Sequence, residues 1–210
     1  MPKICRHGQA QIISESEYLK IRRVLNGWHQ LFWDIAYYTG ERWGAIVALR
    51  VDDVYLNSRP LEYITFRART RKADPSGRRQ TRQVPVHPVL NEKLQAYKIP
   101  ASEWLFPSNS CKKKGNHVSF KTADAFLRVA LEKTGYQAKG ISTHSTRRSL
   151  ITHLDERGIG IKLTLPRLKD GGFYKEALQW SRIRIAELYT CQFPQENPGR
   201  GGQSPPTQSA

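Results

Sequence analysis

Four residues in the C-terminal half of the chain have types that suit chemistry on a phosphodiester. His144 and Arg147 are three positions apart, so on a helix their side chains share one face. Trp180 and Tyr189 follow, nine positions apart. An arginine fork holds two phosphate oxygens, an indole N–H donates to another, and a tyrosine oxygen can attack phosphorus. The set therefore indicates a site that binds a phosphodiester and cuts it.

The arrangement of these residues resembles the C-terminal half of the tyrosine recombinase, or phage integrase, catalytic domain. That family has a His-x-x-Arg box, then a His or Trp, then the nucleophilic Tyr nine residues later, as in this chain. Upstream, Thr39-Gly40-Glu41-Arg42 resembles the family's Thr-Gly-x-Arg signature. The resemblance implies an α+β fold, mostly helical, with a small antiparallel β-sheet or hairpin. It covers roughly residues 14–193, so we expect a flexible arm over 1–13, the catalytic domain over 14–193 and a disordered tail over 194–210.

The resemblance also implies a role for each site residue. The expected catalytic set is Arg42, Lys72, His144, Arg147, Trp180 and Tyr189. The arginines would neutralise the phosphate, and Trp180 would donate a hydrogen bond to it. Tyr189 would attack phosphorus, His144 would accept its proton, and Lys72 would protonate the leaving 5′ oxygen. No metal and no cofactor is expected, because two arginines already neutralise the charge.

Three features depart from the family pattern. The family usually has an acidic residue three positions after its first arginine, where this chain has Ala45. Arg147 and Trp180 lie further apart than is usual, which indicates an insertion before Trp180. Only a short segment precedes the first predicted helix, so we expect a catalytic domain without the N-terminal DNA-clamping domain of larger members.

Several elements are expected to position these residues. Ser14 and Glu17 form a capping box ahead of one long helix with an apolar stripe that extends through Trp28 to Ile35. A short helix from Arg42 to Leu49 follows the break at Gly40.

A β-hairpin comes next, with strands over 61–66 and 81–86 and Lys72 in its basic tip. Further helices are expected over 88–97, from 117 or 119 to about 135, and over 144–157. We expect the second of these to direct Phe120 inward and Thr143 to cap the third.

Composition indicates the kind of partner. The 210 residues carry a formal net charge of +16, which favours an acidic polymer, with DNA or RNA ahead of a membrane surface. Three scattered cysteines have no metal-ligand spacing, and no signal peptide or membrane-spanning run is evident, so a cytoplasmic protein is expected. The resemblance implies double-stranded DNA as substrate and a homo-oligomer, a tetramer on paired DNA sites.

Other functions fit part of the same pattern. Ala45 and the insertion before Trp180 are compatible with a catalytically impaired DNA-binding module of the same fold. A type IB topoisomerase-like enzyme would use the same residues to relax DNA without recombining it. A basic RNA-binding protein fits less well, since no RNA-recognition motif is present.

Overall fold

A computed structural model describes residues 10–70, 77–109 and 115–156 of the chain. Lys72, Trp180, Tyr189 and the expected tail lie outside these ranges. The described elements are α1 (Glu15–Val24), α2 (Trp28–Thr39), α3 (Trp43–Ile46), β1 (Tyr55–Leu56), β2 (Arg59–Pro60), β3 (Tyr63–Phe66), β4 (Arg82–Pro85), α4 (Pro88–Gln95), α5 (Phe120–Thr134) and α6 (Ser145–Glu156). Helices with a small amount of antiparallel sheet confirm the predicted α+β class.

The first predicted helix is two helices. The capping box is present, since Ser14 Oγ accepts from the N–H of Glu17 while the Glu17 carboxylate accepts from the N–H of Ser14. The helix ends before Gly27, whose φ of +52° is not helical. Gln30 Nε2 donates to the carbonyl of Leu25 at 2.8 Å, which satisfies an acceptor at the end of α1. The prediction of one continuous helix was therefore wrong at this turn.

The predicted helix after Gly40 is shorter than expected. It covers Trp43–Ile46 and does not reach Leu49. The carbonyl of Leu49 accepts from the N–H of Leu105 at 3.0 Å, so at this point the backbone bonds to another segment. Leu49 is nevertheless buried, as its apolar character predicted.

Two antiparallel strand pairs supply all the described sheet. The predicted hairpin is confirmed: β3 and β4 pair in a register that sets Tyr63 opposite Pro85 and Phe66 opposite Arg82. The smaller pair, β1 with β2, turns through Asn57 and Ser58, both with positive φ. Sequence patterning did not indicate this second pair, because each of its strands is only two residues long.

Aromatic side chains from three helices form the centre of the core. Phe32 on α2 lies edge-on to Trp43 on α3, with ring centroids 4.9 Å apart. Trp43 in turn stacks on Phe126 of α5 at 5.5 Å. Phe32 and Trp43 are almost fully buried, and helix α2 also contacts α6. The core therefore holds the start of α3 against α5. Within the described ranges, none of the helices has the length and hydropathy of a membrane-spanning segment.

Candidate active site

Three of the six predicted site residues line one cleft of about 230 Å³. Arg42 precedes α3, and His144 and Arg147 lie at the start of α6. The remaining lining residues are Glu41, Trp43, Gly44, Ala45, Thr70, Phe120 and Thr143. The fold thus brings two arginines and a histidine from distant parts of the sequence to one concave surface. Such a surface suits a ligand with negative oxygens.

The turn at Gly40 connects the two arginine motifs. Gly40 ends α2 in the left-handed conformation, with φ of +58°, and its carbonyl accepts a hydrogen bond from Arg147 Nη1 at 3.2 Å. A Cβ at this position would lie 2.7 Å from Cδ2 of Leu150 on α6. Glycine is therefore required both by the backbone conformation and by the close approach of α6. This explains why the turn before Arg42 and the helix that carries Arg147 lie together.

A second link joins α3 directly to α6. Trp43 Nε1 donates to Thr146 Oγ1 at 3.3 Å, and both side chains are buried. Each is next in sequence to one of the cleft arginines, Arg42 and Arg147. The buried bond therefore sets the two arginine-bearing segments side by side.

Serine side chains organise the start of α6. Ser145 Oγ accepts from the N–H of Ser142 at 2.9 Å, and Ser142 Oγ accepts from the N–H of His144 at 3.4 Å. Thr143 Oγ1 instead lies 3.5 Å from His144 Nδ1 and does not form the predicted cap of α6. His144 is left exposed towards the cleft, where it can reach a ligand.

Residues 10–13, within the range assigned to the arm, bond to this helix. Ser149 Oγ accepts from the N–H of Ile13 at 2.7 Å, and Ile13 is fully buried. Arg148 Nη1 donates to the carbonyl of Ala10 at 2.7 Å. These hydrogen bonds therefore attach residues 10–13 to α6.

The hairpin reaches the cleft through Thr70. This residue ends a short 3-10 turn after β3 and lines the cleft. Lys72 itself is outside the described residues, but it follows Thr70 by two positions. Arg67, at the end of β3, is anchored by Asp53 at 2.6 Å and by Asp52 at 2.9 Å. This anchor fixes the strand that leads to the cleft.

Sequence reasoning missed the buried carboxylate of Glu41, a residue that lines the cleft. Glu41 is only 2% exposed, and its Oε1 accepts from Arg82 Nη1 of β4 at 3.2 Å. Its Oε2 accepts from the N–H of Arg42 at 3.1 Å. The signal was present in the sequence, since an acidic residue stands at the variable position of Thr-Gly-x-Arg, but nothing there indicated burial.

Two other residues that line the cleft are Phe120, which is more exposed than predicted, and Ala45, which supplies no carboxylate. Phe120 was predicted to point into the core, yet it is 47% exposed at the first position of α5. The stripe of α5 begins instead at Ala123, because the first helical turn lies at the edge of the core. Ala45 is buried and lines the cleft, so its position contributes no carboxylate.

Comparisons with known proteins identify the family and the fold. The model of the phage integrase family matches residues 10–196. A search of curated proteins found no match.

Several solved structures share the fold. The integrase from mycobacterium phage Brujita superposes with a TM-score of 0.61 at 16% identity, covering 92% of this chain and 62% of that one. The XerH recombinase bound to its difH substrate gives 0.52 at 18% identity, covering 85% of this chain and 49% of that one. The lambda integrase catalytic core gives 0.53 at 19% identity, covering 74% of this chain and 92% of that one.

The coverage shows which part of these proteins is shared. The chain spans less than two thirds of the Brujita integrase and of XerH. It matches nearly the whole of the lambda catalytic core. The family match over most of the chain, together with this fold and the convergence of the two arginine motifs, shows that the chain belongs to the phage integrase family and has the tyrosine recombinase catalytic-domain fold.

Proposed function

We propose that this chain is a site-specific DNA recombinase that cuts and rejoins DNA through a 3′-phosphotyrosine intermediate. The observation that carries the proposal is the convergence of Arg42, His144 and Arg147 on one cleft. Family membership supports the same reaction class. Double-stranded DNA is the proposed substrate, and a tetramer on paired sites is the proposed working assembly.

The two arginines would stabilise the transition state. Attack on a phosphodiester gives a pentacoordinate phosphorus and adds negative charge to the non-bridging oxygens. Charged donors fixed around those oxygens favour the transition state over the ground state. Arg147 is already held by its bond to the Gly40 carbonyl, and Arg42 is held through its backbone by Glu41. Both arginine-bearing segments are thus fixed before substrate arrives.

The covalent step would use Tyr189 and His144. The phenolic oxygen of Tyr189 attacks phosphorus, and a new O–P bond forms as the bond from phosphorus to the 5′ oxygen breaks. His144, exposed in the cleft, accepts the phenolic proton. The product is a 3′-phosphotyrosyl DNA and a free 5′ hydroxyl. Attack by the 5′ hydroxyl of another strand reverses these steps and reseals a recombined strand without ATP.

Lys72 and Trp180 would complete the site. Lys72 is proposed to donate the proton that the leaving 5′ oxygen takes up. What supports this role is its place in the sequence, two positions after Thr70, which lines the cleft. Trp180 is proposed to donate its Nε1–H to a phosphate oxygen, which is all the polar chemistry an indole offers.

A second function is favoured by one observation. Ala45 places no carboxylate in the cleft, where the family usually has an acidic residue. A DNA-binding module that occupies recombination sites without cutting them would share the fold and the cations. The two proposals differ in one product, the covalent protein–DNA adduct.

A pool of nicked duplexes, randomised around the nick, tests the proposal even though the target sequence is unknown. The nick lets a short fragment diffuse away after cleavage, so the adduct accumulates. Adducts that survive SDS are recovered and sequenced. Wild-type protein should enrich one sequence family, and Tyr189→Phe should bind that sequence but yield no adduct. Sequence-specific binding by wild-type protein with no adduct would support the non-catalytic module.

A further inference from the structure

Glu41 is the one acidic residue among the described residues that line the cleft. Burying a carboxylate that is not compensated costs several kcal/mol, so a carboxylate that stays buried is held by donors. Its donors include the guanidinium of Arg82 and the backbone N–H of Arg42. These donors belong to two different segments, the start of β4 and the turn before α3. Glu41 therefore joins the Arg42 segment to the hairpin.

The position of Arg82 in the pairing of β3 with β4 indicates which part of the hairpin its ion pair with Glu41 holds. Arg82 lies opposite Phe66 in the last pair before the segment that contains Lys72. The β3 side of the hairpin is anchored just beyond this pair by Arg67 and Asp53, at 2.6 Å. The β4 side is anchored by Arg82 and Glu41. Of these two anchors, the pair of Arg82 and Glu41 is the one that includes a residue lining the cleft.

We infer that Glu41 is a positioning residue of the cleavage reaction, which docks the hairpin that carries Lys72 onto the cleft and fixes the backbone of Arg42. It supplies from the Thr-Gly-Glu-Arg motif the buried carboxylate that Ala45 lacks. The inference rests on the proposed function. It goes further in assigning the link between proton delivery and phosphate binding to one side chain, whose bonds include those to Arg82 and to the backbone of Arg42.

The inference predicts a specific kind of defect. Without the carboxylate, β4 loses its anchor, and proton donation to the leaving oxygen should suffer more than phosphate binding. A sulfur atom at the 5′ bridging position leaves without a proton. Glu41→Gln should therefore cleave normal DNA at least about 30-fold more slowly, and the sulfur substrate no more than about threefold more slowly. Lys72→Ala should show the same pattern.

Two further variants separate positioning from folding. Arg82→Gln removes the same ion pair from its more exposed partner and should reproduce the Glu41→Gln pattern even if Glu41→Gln fails to fold. Asp34→Asn is the matched control, because Asp34 is a buried carboxylate paired with Arg22 at 2.8 Å away from the cleft. Asp34→Asn should lower the stability of the protein. It should slow the cleavage of both substrates equally or not at all.

Hydrogen exchange of the free protein tests docking without any DNA chemistry. Amides of β3 and β4 should exchange at least about fivefold faster in Glu41→Gln and Arg82→Gln than in wild type. In Asp34→Asn their exchange rates should be unchanged. Unchanged exchange in the hairpin would overturn the inference, as would equal slowing of both DNA substrates. If wild-type protein forms no adduct at all, the proposed function fails, and the exchange result alone decides whether Glu41 docks the hairpin.

Discussion

At the scale of single residues, the shape of the guanidinium group matters as much as its charge. Arg42 and Arg147 both line the cleft, and Arg147 also donates to the Gly40 carbonyl. A lysine keeps the charge but cannot hold two phosphate oxygens in one plane. We expect Arg42→Lys and Arg147→Lys each to slow adduct formation by about a hundredfold or more, while DNA affinity falls less than about tenfold.

The neighbouring arginine provides the control for this prediction. Arg148 lies on the same helix, does not line the cleft, and donates to the carbonyl of Ala10. Arg148→Lys should therefore leave the rate of adduct formation within about twofold of wild type. A near wild-type rate in Arg42→Lys or Arg147→Lys would remove that arginine from the reaction. Single-turnover rates on nicked DNA measure all three variants.

The resemblance to the family's two arginine motifs was enough to select Arg42, His144 and Arg147, which share the cleft. They were not enough for Glu41 or Phe120. An acidic residue next to an arginine is usually solvated, and only the approach of Arg82 on β4 makes Glu41 a buried partner. Phe120 has the spacing of a core position, but the first turn of α5 extends past the core. Both cases depend on tertiary neighbours that no local pattern contains.

At the scale of elements, the junction of α2 and α6 depends on Gly40. The residue has positive φ, and an added Cβ would lie 2.7 Å from Leu150 Cδ2 and 3.3 Å from its Cβ. Gly40→Ala should lower the free energy of unfolding by about 2–4 kcal/mol, from backbone strain plus displacement of Leu150. Urea unfolding measures the loss.

Gly135 separates strain from the clash. It ends α5 in the same left-handed conformation, with φ of +73°, and a Cβ added there would have nothing within 4 Å. Gly135→Ala should therefore cost only about 1 kcal/mol. Equal losses in the two variants would show that α6 does not approach Gly40 closely.

The N-terminus of α4 should make stability depend on pH. Burial, with a contribution from the charge of Lys93, lowers the pKa of His87 from 6.5 to about 4. In the folded state its neutral Nδ1 accepts from the N–H of Val89 at 3.0 Å. The unfolded chain therefore binds the proton first as the pH falls. Stability should decrease between about pH 6.5 and pH 4, by at most about 3 kcal/mol.

Comparison with His87→Asn isolates this contribution from that of the carboxylates. Asparagine keeps a side-chain acceptor at the N-cap but does not titrate. The unfolding free energy of wild type minus that of His87→Asn should decrease as the pH is lowered from about 7 to about 4.5. A difference that stays constant over this range would contradict the assigned pKa shift.

Elements were predicted well where their signals are local. The capping box at Ser14, the hairpin and α5 follow from caps, turns and apolar spacing. The errors came from backbone interactions that tertiary structure decides. Gly27 interrupts an otherwise continuous apolar stripe, and beyond the end of α3 the backbone at Leu49 bonds to Leu105.

At the scale of the whole molecule, the net charge of +16 should dominate the strength of DNA binding. Each phosphate contact releases condensed counterions, so affinity should fall by about a hundredfold or more between roughly 50 and 200 mM salt. Arg147→Gln should reduce the slope of log affinity against log salt by about one. Fluorescence anisotropy on a labelled duplex measures both. An affinity independent of salt would argue against a DNA-clamping surface.

If the chain forms a covalent bond to DNA through Tyr189, as proposed, peptide mapping of the trapped adduct will locate that bond. After nuclease and protease digestion, the residual nucleotide should be found by mass spectrometry on the peptide that contains Tyr189. Tyr174 is the nearest rival in sequence, but it precedes Trp180 and lacks a His or Trp nine positions before it. A nucleotide on Tyr174, or on a residue other than tyrosine, would rule out Tyr189 as the nucleophile.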